Sequence, residues 1–149
     1  METSVTQLPF NRFLGLETAE PPAILRLPSG NHYLNHLGTV HASAQLALAE
    51  ASSGEFLMRA MGPMDGVVAV VRRLEAKFRR PAKGALTSTV TSTPTVVSSA
   101  RAELAAKGRA FTTVDVELRD ESGACTLCAS VEWFITLAQP QSSAEASNG

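Results

Sequence analysis

Apolar and polar residues alternate with a period of two through much of the second half of the chain, which is the pattern of half-buried β-strands. It predicts strands over residues 68–79, 86–91, 109–119 and 125–137. In the first of these, one face is expected to carry Val68, Val70, Leu74, Ala76 and Phe78, and the other Arg73, Glu75, Lys77 and Arg79. In the last, one face is expected to carry Cys125, Leu127, Ala129, Val131, Trp133, Ile135 and Leu137.

Other segments lack this alternation and favour helix. From His41 to about Met61 the sequence contains no proline and is rich in Ala, Leu and Met, which are strong helix formers. Its first turns are apolar on nearly every side, so other structure should wrap around this helix. A second helix is predicted over 95–107, ended by Gly108, and a short one over 8–14. Residues 23–27 are predicted to form a short strand.

A long buried helix, at about 41–61, followed by antiparallel strands with a helical insertion near 95–107, predicts an α+β fold in which a curved antiparallel sheet wraps around the helix. We expect a single domain over residues 1–138. Residues 139–149 are polar and have no periodic apolar face, so this tail is expected to be disordered.

Composition narrows the class of protein. A chain of 149 residues, 44% of them hydrophobic, is long enough to bury one core. The formal net charge of −1 provides no general attraction to nucleic acid or to anionic membranes. No apolar run approaches the roughly 20 residues that a membrane span needs, and the N-terminus lacks a secretory-signal pattern. We therefore expect a cytoplasmic protein with reduced thiols and no membrane or nucleic-acid partner.

Metal-ligating residue types are present but do not form a convincing set. His32, His36 and His41 lie within ten residues of one another, yet no Cys or Asp accompanies them, so no metal site is expected. Cys125 and Cys128 should point to opposite faces of a strand, which argues against a disulfide or a shared ligand site. Cys125 is expected to be a core residue.

The stretch from Asn35 to Glu50 combines three features that point to chemistry. A polar loop contains Asn35 and Gly38, and a helix begins close to His41, where the first backbone N–H groups have no partners within the helix. Glu50 stands in an otherwise apolar run, where an unpaired carboxylate is costly unless it has a partner or a catalytic task. Alternatively, Glu50 faces solvent or binds a distant basic residue.

These residues resemble the motif of PaaI-like hotdog thioesterases. An Asn, five further residues, a His at a helix start and an acid nine residues later match the family pattern N-x-x-G-T-x-H-G-G and its later Ala-Asp or Ala-Glu. The chain reads NHLGTVHAS and then LALAE. Looser similarity extends over PFNRFLGLE, RRPAKG and DESGACTLCASVEWF. The helical insertion and the following KGRAFTTVDVELRD are most similar to a less characterised hotdog branch labelled as a domain of unknown function.

The resemblance implies a hotdog fold and hydrolysis of acyl-CoA or acyl-carrier thioesters. By position, Asn35 would help to hold the nucleophilic water and the thioester, and His41 matches the loop histidine. The backbone amide of Ala42 would polarise the thioester carbonyl, and Glu50 would be the general base or nucleophile. Where the family has Gly-Gly after the histidine, this chain has Ala-Ser, which keeps the amide but adds side chains beside the substrate channel.

Two further groups of residues are candidates for substrate binding, one from the motif and one from a basic cluster. Gly38 and Thr39 match the Gly-Thr of the loop motif. Six basic residues lie between positions 72 and 83 and form a basic cluster. At its end, Arg79, Arg80 or Lys83 would contact the phosphates of coenzyme A, although a solvated outer face explains the same pattern. The cluster has little aromatic interleaving, so RNA binding is less well supported. No cofactor is expected apart from coenzyme A within the substrate.

Helix geometry sets an independent condition on this site. His41 and Glu50 are nine residues apart, which on a helix is about 13–14 Å of rise and half a turn. They cannot meet on one substrate within a chain. The site would therefore be shared across a homodimer, alone or within a tetramer of dimers, as the hotdog family arranges it. The alternative function is a non-catalytic hotdog dimer that binds acyl chains or acyl thioesters.

Overall fold

The computed structural model describes residues 4–63 and 65–138. Its helices are α1 (Pro9–Leu14), α2 (Ala42–Met61) and α3 (Thr95–Lys107), with short 3-10 turns at Val5–Gln7 and Asn31–Tyr33. Its strands are β1 (Glu17–Thr18), β2 (Leu25–Leu27), β3 (Val67–Phe78), β4 (Leu86–Val90), β5 (Arg109–Arg119) and β6 (Cys125–Leu137). The predicted helices and longer strands agree closely with these bounds. The predicted disordered tail, 139–149, lies outside the described residues.

The strands form one antiparallel sheet in the order β1-β2-β4-β5-β6-β3. The chain leaves β3 at one edge of the sheet and re-enters at β4, and in the described part of the chain β6 is the one strand that pairs with β3. Helix α2 packs against β2, β4, β5 and β6. The α+β prediction with a long central helix is confirmed. None of the helices in the described parts of the chain is long and apolar enough to cross a membrane.

Small residues let α2 approach the sheet closely. Trp133 of β6 donates a hydrogen bond from its indole Nε1 to Ser53 Oγ at 2.9 Å. A Cβ placed on Gly54 would lie 3.3 Å from the same indole ring, so the absence of a side chain there makes room for it. On the same turn, Ser52 Oγ lies 2.6 Å from Ser88 Oγ of β4. These contacts fix the position of the helix on the sheet and hence the position of the residues at its N-terminal end.

The predicted faces of β3 are wrong at its start. A bulge between Val71 and Arg73 shifts the register, so Val68 and Val70 lie on the outer face, where Val70 pairs with Phe134. A period-of-two count cannot detect this extra residue. Cross-strand pairing places on the inner face Val67, Ala69, Val71, Leu74, Ala76 and Phe78.

The prediction for the two cysteines is also wrong. Leu118 pairs with Leu127 and Arg119 pairs with Cys125, so β6 carries one extra residue opposite a single step of β5. The bulge brings Cys125 Sγ to 3.5 Å from the Sγ of Cys128, on the same face. Cys125 is half-buried rather than part of the core.

Candidate active site

Asn35 organises the loop that precedes α2. Its side-chain Oδ1 accepts the backbone N–H groups of Leu37 at 2.9 Å and Thr39 at 3.1 Å. Its Nδ2 donates to Thr39 Oγ1 at 2.9 Å. Gly38 has a φ of +74°, which glycine adopts without strain. These bonds shape a compact turn and leave one N–H of the Asn35 carboxamide available for a ligand.

His41 caps the N-terminus of α2. Its ring Nδ1 accepts a hydrogen bond from the backbone N–H of Ser43 at 3.0 Å. The backbone N–H of His41 donates to the carbonyl of Tyr33 at 2.7 Å. The next N–H, that of Ala44, donates to the His41 carbonyl at 3.1 Å. Within the described ranges, the N–H of Ala42 has no acceptor, and this residue is exposed. The predicted free amide is therefore present, at the positive end of a 20-residue helix.

Glu50 lies half-buried in the middle of α2. Among residues 4–63 and 65–138 its carboxylate has no hydrogen-bond or salt-bridge partner, while its backbone carbonyl accepts a hydrogen bond from Ser53 Oγ at 2.7 Å. Burial raises the pKa of Glu50 above its ordinary value. The sequence left open that Glu50 binds a distant basic residue, but the described residues contain no such partner. The isolated carboxylate is therefore a candidate general base.

Glu55, on the same helix, shows what a structural carboxylate looks like in this protein. It is 5% exposed and accepts the backbone N–H of Val5 at 2.9 Å. Arg59, one turn later, donates to it at 3.1 Å, and Ser4 Oγ approaches it at 3.3 Å. The sequence did not single out Glu55, because its partners come from the N-terminal segment. Its full set of partners distinguishes it from Glu50.

We expect Glu50→Gln to raise the melting temperature at neutral pH. The raised pKa means that the folded protein retains this proton to higher pH than the unfolded chain does. Stability is therefore lost as pH rises from the unfolded pKa through the folded pKa. Glutamine removes that loss, so the melting-temperature difference between variant and wild type should grow between pH 4 and pH 7, roughly the range in which glutamates titrate. Thermal unfolding at both pH values measures it, and a difference that shrinks with pH contradicts the burial of an unpaired carboxylate.

The two ends of the candidate site do not meet within one chain. Ala42 and Glu50 lie on the continuous helix α2, about 12 Å apart along its axis. Ser43, Leu46, Ala47 and Glu50 are spaced to share one helical face, which other parts of the chain leave only partly covered. Because α2 is continuous from Ala42 to Glu50, the separation expected from helix geometry applies in the structure.

The basic residues that were predicted to contact coenzyme A lie in two places. Ala82, in the turn after β3, accepts the backbone N–H of Val40 at 2.8 Å, which ties the turn carrying Lys83 to the loop before α2. Arg79 and Arg80 instead line a shallow pocket of about 510 Å³ together with Arg119. Sequence reasoning missed Arg119, because its place in this pocket depends on the bulge beside it.

His32 and His41 make local contacts in the structure. The His32 ring lies against that of Tyr33, with centroids 3.9 Å apart, and His41 caps α2. In the portion of the chain that the structure describes, no three His, Cys, Asp or Glu side chains come together to hold a metal ion.

Comparison with protein families identifies the chain. Residues 16–135 match the family described as Domain of unknown function (DUF4442). The chain belongs to this family. No match was found among curated proteins.

Several solved structures are similar to this DUF4442 chain, and some of them are named as thioesterases. A Pseudomonas aeruginosa protein named as a probable thioesterase is 24% identical, with a TM-score of 0.76, covering 89% of this chain and 91% of its own. A Haemophilus influenzae thioesterase is 15% identical, with a TM-score of 0.68 and coverage of 95% and 96%. A Bacillus halodurans protein solved with CoA is 21% identical, with a TM-score of 0.58 and coverage of 74% and 65%. The hotdog fold, and the branch suggested by the sequence, are confirmed.

Proposed function

We propose that this DUF4442 protein hydrolyses acyl-CoA thioesters at a site shared across a homodimer. The observation that carries the proposal concerns helix α2, for which the described residues provide no partner either to the amide at its N-terminus or to the half-buried carboxylate eight residues later. The exposed N–H at the helix start is open to a ligand, and the half-buried carboxylate is costly to maintain without a partner or a catalytic task. Together they supply an oxyanion donor and a general base.

The proposed reaction begins with the thioester carbonyl oxygen at the N–H of Ala42. Glu50 of the opposite subunit removes a proton from a water molecule as the water oxygen attacks the carbonyl carbon. The negative charge that develops on the carbonyl oxygen is stabilised by the Ala42 N–H and the helix dipole. The carbon–sulfur bond then breaks, and the coenzyme A thiolate leaves and is protonated. Direct attack by the Glu50 carboxylate, followed by hydrolysis of an anhydride, gives the same products.

The partly covered face of α2 explains how a partner completes the site. Ser43, Leu46, Ala47 and Glu50 are symmetric about a point between the two central residues. If two copies of α2 cross antiparallel on a two-fold axis at that point, Ser43 of one helix lies opposite Glu50 of the other. The Ala42 amide, one residue from Ser43, then lies near a carboxylate that its own chain holds about 12 Å away.

The edge strand β3 supports the same assembly. It is 12 residues long and, among the described residues, pairs on one side only, with β6. The row of backbone groups on its other edge could pair with a second sheet. Its inner-face Val71 and Phe78 are 37% and 45% exposed. A second copy that covers this edge would bury both side chains and extend the sheet.

The loop and the basic turn are assigned to substrate binding. Asn35 would use its remaining carboxamide N–H to hold the attacking water or the thioester, while Gly38 and Thr39 shape the turn beside it. The tie between Ala82 and Val40 places the turn carrying Lys83 close to the N-terminus of α2. The bound CoA of the Bacillus halodurans relative is consistent with a coenzyme A substrate here.

We expect Arg79→Gln and Arg80→Gln to raise KM for acyl-CoA by about 1.4- to fivefold each, with kcat nearly unchanged, because an exposed charge contact contributes about 0.2–1 kcal/mol. Arg73→Gln is the matched control, since Arg73 pairs with Glu75 on the outer face of β3. Steady-state kinetics with acyl-CoA and with acyl-N-acetylcysteamine, which lacks the phosphates, measure the effect. An equal loss on both substrates contradicts phosphate recognition.

Thiol release from a panel of acyl-CoA and acyl-carrier-protein esters tests the proposed function. We expect hydrolysis of at least one acyl class by the purified wild-type protein. Saturable binding of these esters without any thiol release would instead identify the non-catalytic acyl-binding alternative.

A further inference from the structure

Cys125 and Cys128 form a thiol pair that the proposed function does not use. Their sulfur atoms are 3.5 Å apart, within contact distance, because the bulge in β6 turns both side chains to one face. Both residues are half-buried, so a small reagent can reach them. They are also the chain's only cysteines.

The surroundings of this pair are positively charged. Arg79, Arg80 and Arg119 line the same shallow pocket as the two thiols, with a volume of about 510 Å³. Arg119 donates to the carbonyl of Gly123 at 2.9 Å, which holds it against the hairpin, and to Glu117 at 2.8 Å. Within the described residues, Arg79 and Arg80 make no salt bridge. The three guanidinium groups outnumber the neighbouring carboxylates of Glu117 and Asp120, and this excess of positive charge raises the local concentration of anions.

We propose that Cys125 and Cys128 form a dithiol site that an anionic low-molecular-weight disulfide oxidises to an intramolecular disulfide. The sulfur of Cys128 loses its proton to solvent and attacks one sulfur of the small disulfide, whose other half leaves as a thiolate and is protonated. The sulfur of Cys125 then loses its proton and displaces the second small thiol. The protein loses two hydrogen atoms, and the small disulfide is reduced to two thiols.

The order of attack follows from the environment of Cys125. Burial and the hydrogen bond with Cys128 raise the pKa of the Cys125 thiol, which therefore retains its proton to higher pH and acts second. Closing the bond requires the sulfurs to move from 3.5 Å to about 2.05 Å. Cys125 follows the exposed turn at residues 121–123, and surface turns absorb such shifts easily.

Incubation of the reduced full-length protein with glutathione disulfide, followed by intact-mass measurement, tests the site. We expect the mass to fall by two hydrogens and to return after reduction. Cys125→Ser should instead accumulate a glutathione adduct on Cys128. A stable glutathione adduct on the wild-type protein, a disulfide-linked dimer, or no mass change would overturn the proposal.

The arginines provide a second, independent test. We expect oxidation by glutathione disulfide to be about tenfold faster than by the neutral 2-hydroxyethyl disulfide at low salt, and the advantage to fall as ionic strength rises. Arg80→Gln should reduce that advantage, whereas Arg73→Gln should not. Equal rates with both disulfides in all three proteins would show that the pocket does not recruit the anionic reagent.

Discussion

Glu50→Gln is expected to lower kcat for acyl-CoA hydrolysis by about 10²–10⁴, the usual contribution of a positioned general base. Glutamine has nearly the same shape as glutamate but cannot accept a proton from water or attack a carbonyl. The unpaired state of the Glu50 carboxylate within the described residues means that no other interaction is broken by the change. KM should move little, because the loss falls on the chemical step.

Two further variants serve as controls for this result. Glu50→Asp keeps the carboxylate but shortens its reach, so it should retain partial activity. Glu55→Gln removes the other carboxylate of α2 and should lower the melting temperature, because the negative charge that pairs with Arg59 is lost and only one of the two acceptor oxygens used by Val5 and Arg59 remains. It should leave kcat near that of the wild type. Full turnover by Glu50→Gln would remove the catalytic role from this residue.

Ala42→Pro is expected to lower kcat by about 10²–10³, which is the typical cost of removing one oxyanion donor. Proline lacks a backbone N–H, so the substitution deletes the proposed donor itself. The first position of a helix tolerates proline well. The preceding residue, His41, already has an extended backbone, with φ −60° and ψ 140°, as proline requires of its neighbour. The fold should therefore survive the change.

Ala42→Gly is the matched control for this prediction. It keeps the N–H and removes only the methyl group, and it restores the glycine found at this place in PaaI-like thioesterases. We expect kcat at or above the wild-type value, with a melting temperature close to that of Ala42→Pro. A full rate in Ala42→Pro would show that the carbonyl oxygen binds elsewhere.

The features that the sequence predicted well are local ones. Helix α2 and the alternation along β5 and β6 follow from spacing along the chain, so their bounds were predicted closely. Glu50 stood out for the same reason, since a single acid in an apolar helical run is visible without tertiary information. The start of α2 at Ala42 could be placed from the loop composition and the histidine before it.

The missed features depend on contacts between distant segments. The bulges beside Arg73 and Arg119 are set by how β3 and β5 align with β6, which no period-of-two count includes. The contact between Cys125 and Cys128 follows from the second bulge. The pairing of Glu55 with the N-terminal segment was likewise invisible.

Subunit complementation tests the central claim, a site shared between two chains, most directly. Glu50→Gln and Ala42→Pro homodimers are mixed, allowed to exchange subunits, and assayed with acyl-CoA. In a mixed dimer, one site pairs the intact Ala42 amide of the first variant with the intact Glu50 of the second. Random exchange at equal amounts should therefore restore about a quarter of the wild-type activity. If exchange is verified and the mixture stays as inactive as its components, each site lies within one chain and the account is contradicted.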